Sequence, residues 1–109
     1  MSENQRNFFR LHYPSGAAPK FLSGGLAYEV LEISEFGIKI LRKSGVNLEN
    51  HTIMVGSLIF QNGEAHLLYG SLLRSNDDTL IIALKKPLAL KVIRQEELRL
   101  LRLFPRNAK

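Results

Sequence analysis

The chain of 109 residues contains no cysteine. Disulfides, zinc–thiolate sites and iron–sulfur clusters are therefore excluded, and a reducing compartment fits the composition. The sequence also has no apolar run of the length that spans a bilayer. The polar residues 1–6 lack the apolar core of a signal peptide. From these absences we expect a cytoplasmic protein that is not embedded in a membrane.

Sequence motifs of catalysis are absent as well. The three histidines, His12, His51 and His66, are far apart and lack metal-ligand spacing. There is no Gly-x-Ser-x-Gly elbow, no Gly-x-Gly-x-x-Gly pattern and no phosphate-binding P-loop. Glu32 and Glu35 are close, but an isolated carboxylate pair beside a turn is weak evidence for acid–base chemistry. We therefore expect neither an enzyme nor a metal site.

The composition is that of one globular domain, with 45% hydrophobic and 23% charged residues. Fifteen Lys and Arg against ten Asp and Glu give a formal charge of +5. This balance favours an anionic partner without distinguishing nucleic acid, nucleotide and membrane surface. Many of the basic residues lie between Lys85 and Lys109, where we favour the solvated face of a helix over a binding patch.

Alternating apolar residues predict strands at about 26–33, 38–42, 52–60, 65–73 and 79–84. Turn residues separate these segments, and Asn62-Gly63 is the strongest hairpin signal. This spacing predicts a small all-β barrel or sandwich. Residues 1–10 are polar and predict a loosely held tail, while the prolines between Pro14 and Pro19 argue against regular structure there.

The C-terminal segment has a different pattern. Apolar residues recur among Glu and Arg from Leu90 until Pro105 ends the pattern. We expect an amphipathic helix packed on the β-structure, with Leu98, Leu101 and Phe104 on one stripe. The alternative is a helix that docks on a partner.

Two short segments carry side chains suited to a nucleotide. In Arg6-Asn7-Phe8-Phe9-Arg10, the guanidinium groups of Arg6 and Arg10 can bind phosphate oxygens or the O6/N7 edge of guanine. Taken alone, the segment also fits a basic tail that Phe8 or Phe9 anchors to the barrel.

The second segment is Glu32-Ile33-Ser34-Glu35-Phe36-Gly37. The Glu32 carboxylate can accept hydrogen bonds from guanine N1–H and N2–H₂, and the Ser34 hydroxyl can bond a base or a phosphate. Gly37 allows a positive φ or the close approach of a ligand to the backbone. Taken alone, this segment equally fits a hairpin whose glycine serves the turn.

Together, in this order and spacing, the two segments resemble the signature of PilZ domains, Arg-x-x-x-Arg followed after a strand by [Asp/Asn]-x-Ser-x-x-Gly. The tail from Ile93 to Pro105 is similar to the helical tail of some short bacterial members, so the resemblance covers nearly the whole chain. It implies a six-stranded antiparallel β-barrel with a C-terminal α-helix. The single domain, 1–109, would comprise a flexible N-terminal arginine loop at 1–12, the barrel at 20–86 and the helix at 90–104.

PilZ domains bind cyclic di-GMP. The resemblance implies that Arg6 and Arg10 contact its phosphates and guanines, and that Glu32, Ser34 and Gly37 form the floor of the site. Where the family usually has Asp or Asn, this chain has Glu32, which moves the carboxylate by about one bond length. We expect a receptor or adaptor that changes its N-terminal loop when it binds the dinucleotide and signals to a protein partner.

Two other functions compete with this one. The first is a PilZ-fold interaction module without ligand, which docks to a motility or pilus component. The second is a small barrel that binds single-stranded nucleic acid, for which the nine aromatic residues are too scattered to form a stacking surface. We therefore expect no DNA or RNA partner.

Overall fold

The computed structural model describes residues 9–104. Seven strands and one helix lie in that range. They are β1 (Leu11–His12), β2 (Lys20–Ser23), β3 (Leu26–Ser34), β4 (Gly37–Leu41), β5 (Ile53–Ile59), β6 (Ala65–Ser75), β7 (Thr79–Leu84) and α1 (Leu90–Leu103).

Six of these strands close into an antiparallel barrel. Around the barrel they follow the order β3, β2, β5, β6, β7, β4, and pairing between β4 and β3 completes the ring. β1 is an additional strand, which pairs with the end of β3 beyond the residues that β2 occupies. The predicted six-stranded antiparallel barrel with a C-terminal helix is confirmed.

Alternation along the strands produces the barrel core. In β7, Leu80, Ile82 and Leu84 are buried, while the residues between them are partly exposed. Glycine is required where strands approach closely: a Cβ on Gly56 would overlap the Leu22 carbonyl oxygen of β2. Further buried side chains belong to the same hydrophobic core, among them Phe21, Val30, Ile33, Ile38, Ile40, Leu58, Phe60, Leu72 and, from α1, Ile93.

Two strands lie where no strand was predicted. β2 follows Pro19 directly and has only four residues, too few for alternation to be visible. β1 lies at the end of the segment 1–12 that was predicted to be a flexible loop. That prediction is wrong for its last two residues, because the Leu11 side chain is buried in the core and its backbone pairs with Ile33.

The helix is present, but the predicted apolar stripe is wrong. Leu98 and Phe104 are exposed, whereas the buried residues of α1 are Ile93, Glu96 and Leu100. The spacing of apolar residues predicts the wrong buried face, because one of the three buried positions is occupied by a charged residue, Glu96. In the part of the chain that the structure describes, no helix has the length and apolar character needed to cross a membrane.

Candidate functional site

A cleft of about 490 Å³ lies on the outer surface of the barrel, over β3, β4, β7 and β6. Four of the five residues that the sequence predicted as ligand-binding line this cleft: Arg10, Glu32, Ser34 and Gly37. The fifth, Arg6, lies outside the described residues. The structure therefore brings the end of the first motif to the second motif.

Pairing of β1 places Arg10 at the cleft. Because Leu11 pairs with Ile33, the preceding residue lies beside the end of β3. Phe9 packs against the core, and the Arg94 guanidinium of α1 lies 4.6 Å from the centre of its ring. The backbone is therefore held on both sides of Arg10, and Phe9 provides the anchor that the sequence allowed.

Ser34 and Gly37 form the turn that joins β3 to β4. They are paired residues of the ladder, and the Ser34 hydroxyl donates a hydrogen bond to the Gly37 carbonyl oxygen over 3.2 Å. Gly37 does not adopt a positive φ, so that sequence-based explanation is wrong. A Cβ at this position would instead lie 3.1 Å from the Ile82 carbonyl oxygen, and glycine serves the close approach of β4 to β7.

Glu32 has a partner that sequence analysis did not find. The side chain retains 16% of its exposure, and its Oε2 lies 3.0 Å from Nδ1 of His12. The two residues are direct neighbours in the β1–β3 ladder. A strand of two residues leaves no periodic signal, so nothing in the sequence indicated this contact.

Two further cations line the cleft. Lys39 is the ladder neighbour of both Glu32 and Ile81, and Ile81 in turn pairs with Arg74. This lateral row crosses β3, β4, β7 and β6 on the outer surface of the barrel. With Arg10 nearby, the lining has three cationic side chains and one carboxylate, an excess that favours an anionic ligand. Alternation in β4 predicts that Lys39 points outward, but no local pattern in the sequence indicates the position of Arg74.

A β-bulge explains the position of Arg74. The register between β6 and β7 shifts between Leu72 and Arg74. Leu72 is buried, and the two residues that follow it, Leu73 and Arg74, are both exposed and both line the cleft. The bulge thereby puts an apolar and a cationic side chain next to each other at the cleft wall, as bulges near binding sites often do.

A buried polar cluster joins the segment after β1 to α1. The Tyr13 hydroxyl donates to Glu96 Oε1 over 2.6 Å, and Arg99 donates to Glu96 Oε2 over 2.8 Å. The pKa of Tyr13 is raised, mainly by burial and to a smaller extent by the hydrogen bond to Glu96. The hydrogen bond to the same carboxylate raises the pKa of Arg99. Glu96 is only 3% exposed, so these buried hydrogen bonds hold α1 against the segment that contains β1, next to Arg10.

Metal-binding chemistry is not indicated by the side chains that the structure describes. Across residues 9–104, no three His, Asp or Glu residues come together in a group able to hold a metal ion.

Comparison with known proteins supports the fold. No protein-family model and no curated protein matches the chain. Among solved structures, the crystal structure of an uncharacterized Legionella protein is similar to it, with a TM-score of 0.58 and 21% sequence identity. The match covers 93% of this chain and 99% of the Legionella chain. At this identity the likeness extends to the architecture and not to the function.

Proposed function

We propose that this protein is a PilZ-type receptor for cyclic di-GMP that acts as an adaptor and not as an enzyme. The observation that carries the proposal is the meeting of Arg10 with Glu32, Ser34 and Gly37 around one cleft. These residues belong to two separate sequence motifs, each of which predicted contacts with a guanine nucleotide. A purely structural turn would not require the N-terminal arginine to lie against it.

The side chains of the cleft match the chemistry of this ligand. Cyclic di-GMP carries two phosphates, and Arg10, Lys39 and Arg74 supply cationic groups along the cleft. The Glu32 carboxylate accepts hydrogen bonds from guanine N1–H and N2–H₂. The volume of about 490 Å³ lies within the range of small-molecule sites.

The output in this proposal is a change in the N-terminal segment. Arg6 is the first arginine of the same motif, four residues before Arg10. It lies outside the described residues, and in this proposal it closes over the ligand. Ordering a segment costs roughly 1–2 kcal/mol per residue, which opposes binding and favours micromolar affinity, near −8 kcal/mol. A protein partner would then recognise the surface changed by the ordered segment.

Titration calorimetry with cyclic di-GMP tests the proposal. We expect binding to the full chain and a loss of about 10- to 100-fold in affinity for Arg10→Ala, because charge-assisted hydrogen bonds contribute about 1.5–3 kcal/mol each. Arg102→Ala is the matched control, since this exposed arginine lies in the last turn of α1, away from the cleft. Equal affinity of Arg10→Ala and the parent would contradict the proposed role of Arg10.

A second candidate, the protein-interaction module without ligand, is favoured by an apolar outer surface elsewhere on the barrel. Val55 of β5 pairs with Tyr69 of β6. Ile53 and Leu67 are exposed on the same two strands, each two residues from this pair, and Leu67 is 77% exposed. Apolar groups clustered on a surface are typical of contact sites. Absence of any heat or spectral change with cyclic di-GMP would favour this second function.

A further inference from the structure

We propose that Arg74, which belongs to neither sequence motif, recognises the second guanine of the dinucleotide through the O6/N7 edge of that base. The inference rests on the proposed function and adds a specificity-determining residue to the same cleft. Glu32 and Arg74 then select one guanine each, at opposite ends of the cleft. A cyclic dinucleotide in which adenine replaces one guanine therefore binds more weakly.

The Arg74 side chain is available to a ligand. It is exposed, lines the cleft, and makes no hydrogen bond or ion pair with any other residue in the range 9–104. Its backbone pairs with Ile81 directly after the bulge in β6, so strand pairing fixes the point at which the side chain leaves the barrel. A guanidinium presents its donors in a planar fork that fits O6 and N7 of guanine together.

Arg74 lies at the opposite end of the cleft from Glu32. The lateral row runs from Glu32 through Lys39 and Ile81 to Arg74. These three strand spacings place the two ends about 14 Å apart. In a cyclic dinucleotide the bases project from opposite sides of the ring that the riboses and phosphates form. When Glu32 holds one guanine, the ring lies over the middle of the row and the second base extends toward Arg74.

The neighbours of Arg74 favour a base over a phosphate. The bulge places Leu73, which is 54% exposed, next to Arg74, and Ile81 lies across the ladder. Both apolar side chains line the cleft. Apolar side chains pack on the face of a base, whereas a phosphate that approaches them loses water without a replacement. Leu73 and Arg74 together provide one contact for the face of a base and one for its edge.

The other cations of the cleft lie closer to Glu32. Arg10 is beside the end of β3, and Lys39 is the ladder neighbour of Glu32 itself. Either side chain is chemically able to contact a guanine edge. Their positions assign them to the first guanine and to the phosphates in the middle of the row. The second base, at the far end, meets Arg74.

An arginine at this edge distinguishes guanine from adenine. Guanine presents two acceptors there, O6 and N7, whereas adenine has the N6 amino group, a donor, in place of O6. Arginine has donors only, so it loses a hydrogen bond to adenine and meets a second donor. A mixed guanine–adenine compound satisfies both ends in neither orientation, because its adenine lies at Glu32 or at Arg74.

Calorimetry of the full chain with cyclic di-GMP and with the mixed guanine–adenine compound of the same phosphodiester linkages tests the inference. For the parent, we expect the mixed compound to bind about 5- to 150-fold more weakly, the discrimination that a bidentate contact to one base provides. For Arg74→Ala the difference should fall to about twofold. That factor is statistical, since only one of the two orientations of the mixed compound places guanine at Glu32.

Two further variants serve as comparisons. Lys39→Ala should weaken both ligands by the same factor and leave the ratio of their affinities unchanged, because Lys39 lies beneath the ring and not beneath the second base. Arg102→Ala removes an exposed arginine in the last turn of α1, away from the cleft, and should change neither affinity.

The possible results separate this inference from the function on which it rests. If Arg74→Ala weakens both ligands equally and keeps the preference of the parent, Arg74 binds a phosphate and the inference is wrong while the receptor function stands. The inference is also wrong if the parent binds both ligands equally, or if Lys39→Ala removes the preference in place of Arg74→Ala. If cyclic di-GMP does not bind the parent, the receptor function fails and the inference fails with it. Loss of the preference in Arg74→Ala alone supports both.

Discussion

His12 and Glu32 face each other across the β1–β3 ladder, with Nδ1 of His12 3.0 Å from Oε2 of Glu32. Guanine N1–H and N2–H₂ together require both oxygens of a carboxylate. The imidazole therefore competes with the proposed ligand for Oε2. Because the His12 side chain is 74% exposed, solvent screens the contact and its strength is at most about 1 kcal/mol.

Removing this competitor should strengthen binding. We expect His12→Ala to raise the affinity for cyclic di-GMP by up to about fivefold, the equivalent of 1 kcal/mol, in titration calorimetry. His51→Asn is the control, because His51 lies outside the cleft and asparagine tolerates its φ of 73°. Weaker binding by His12→Ala would show that the imidazole orients the carboxylate for the ligand.

The predictable part of the fold is the part with long periodic segments. β7 and β4 alternate buried and partly exposed residues, so their sequence indicates both the strand and its inner face. Gly37 and Ser34 were predictable as a turn with polar groups beside it. That Arg10 would lie against this turn followed from the family resemblance, and the pairing of β1 with β3 provides the physical reason.

The unpredicted part depends on contacts between segments distant in sequence. Lys39 joins the site because β4 pairs with both β3 and β7, and Arg74 joins it because of a bulge. Glu96 is buried because Tyr13 and Arg99 satisfy its oxygens, which no periodicity in the helix reveals. Register, bulges and buried polar pairs arise when the barrel closes, and a local sequence pattern does not encode them.

The Tyr13–Glu96 hydrogen bond should make stability depend on alkaline pH. In the folded chain the pKa of Tyr13 is raised, chiefly by burial and then by the bond to Glu96. A tyrosine in the unfolded chain ionises near pH 10. Between that pH and the higher folded pKa only the unfolded state releases the proton, so this contribution is full below about pH 10 and is lost as the pH rises.

Urea unfolding of the parent and of Tyr13→Phe at several pH values measures this effect. The free energy of unfolding of the parent should fall above about pH 10 more steeply than that of Tyr13→Phe, by up to about 1.4 kcal/mol per pH unit. Tyr28, whose pKa burial also raises, remains in both proteins and contributes equally to both curves. Parallel curves for the two proteins would contradict the assignment to Tyr13.

Neighbouring glutamates of α1 should differ in their effect on stability. Glu96 is 3% exposed and accepts bonds from Tyr13 and Arg99, so Glu96→Ala leaves both donors without their acceptor and should cost about 3 kcal/mol of the free energy of unfolding. Among residues 9–104, the partner of Glu97 is Arg94 on the helix surface, so Glu97→Ala should cost at most about 1 kcal/mol. Urea unfolding measures both, and equal losses would rule out a structural role for the buried cluster.

Closure of the barrel at β2 and β5 can be tested at Gly56. A Cβ there would overlap the Leu22 carbonyl oxygen and approach Cε1 of Phe21 within 2.9 Å, so Gly56→Ala must push the two strands apart. Strand separation breaks the ring of hydrogen bonds, and we expect Gly56→Ala to cost more than about 3 kcal/mol or to prevent folding. Gly37→Ala is the matched control, because its Cβ would lie 3.1 Å from the Ile82 carbonyl oxygen and a shift of a few tenths of an ångström would relieve it. Circular dichroism and urea unfolding compare the stabilities of the two variants, and Gly56→Ala should be the less stable. If the two variants are equally stable, β2 and β5 do not approach each other as closely as the closed barrel requires.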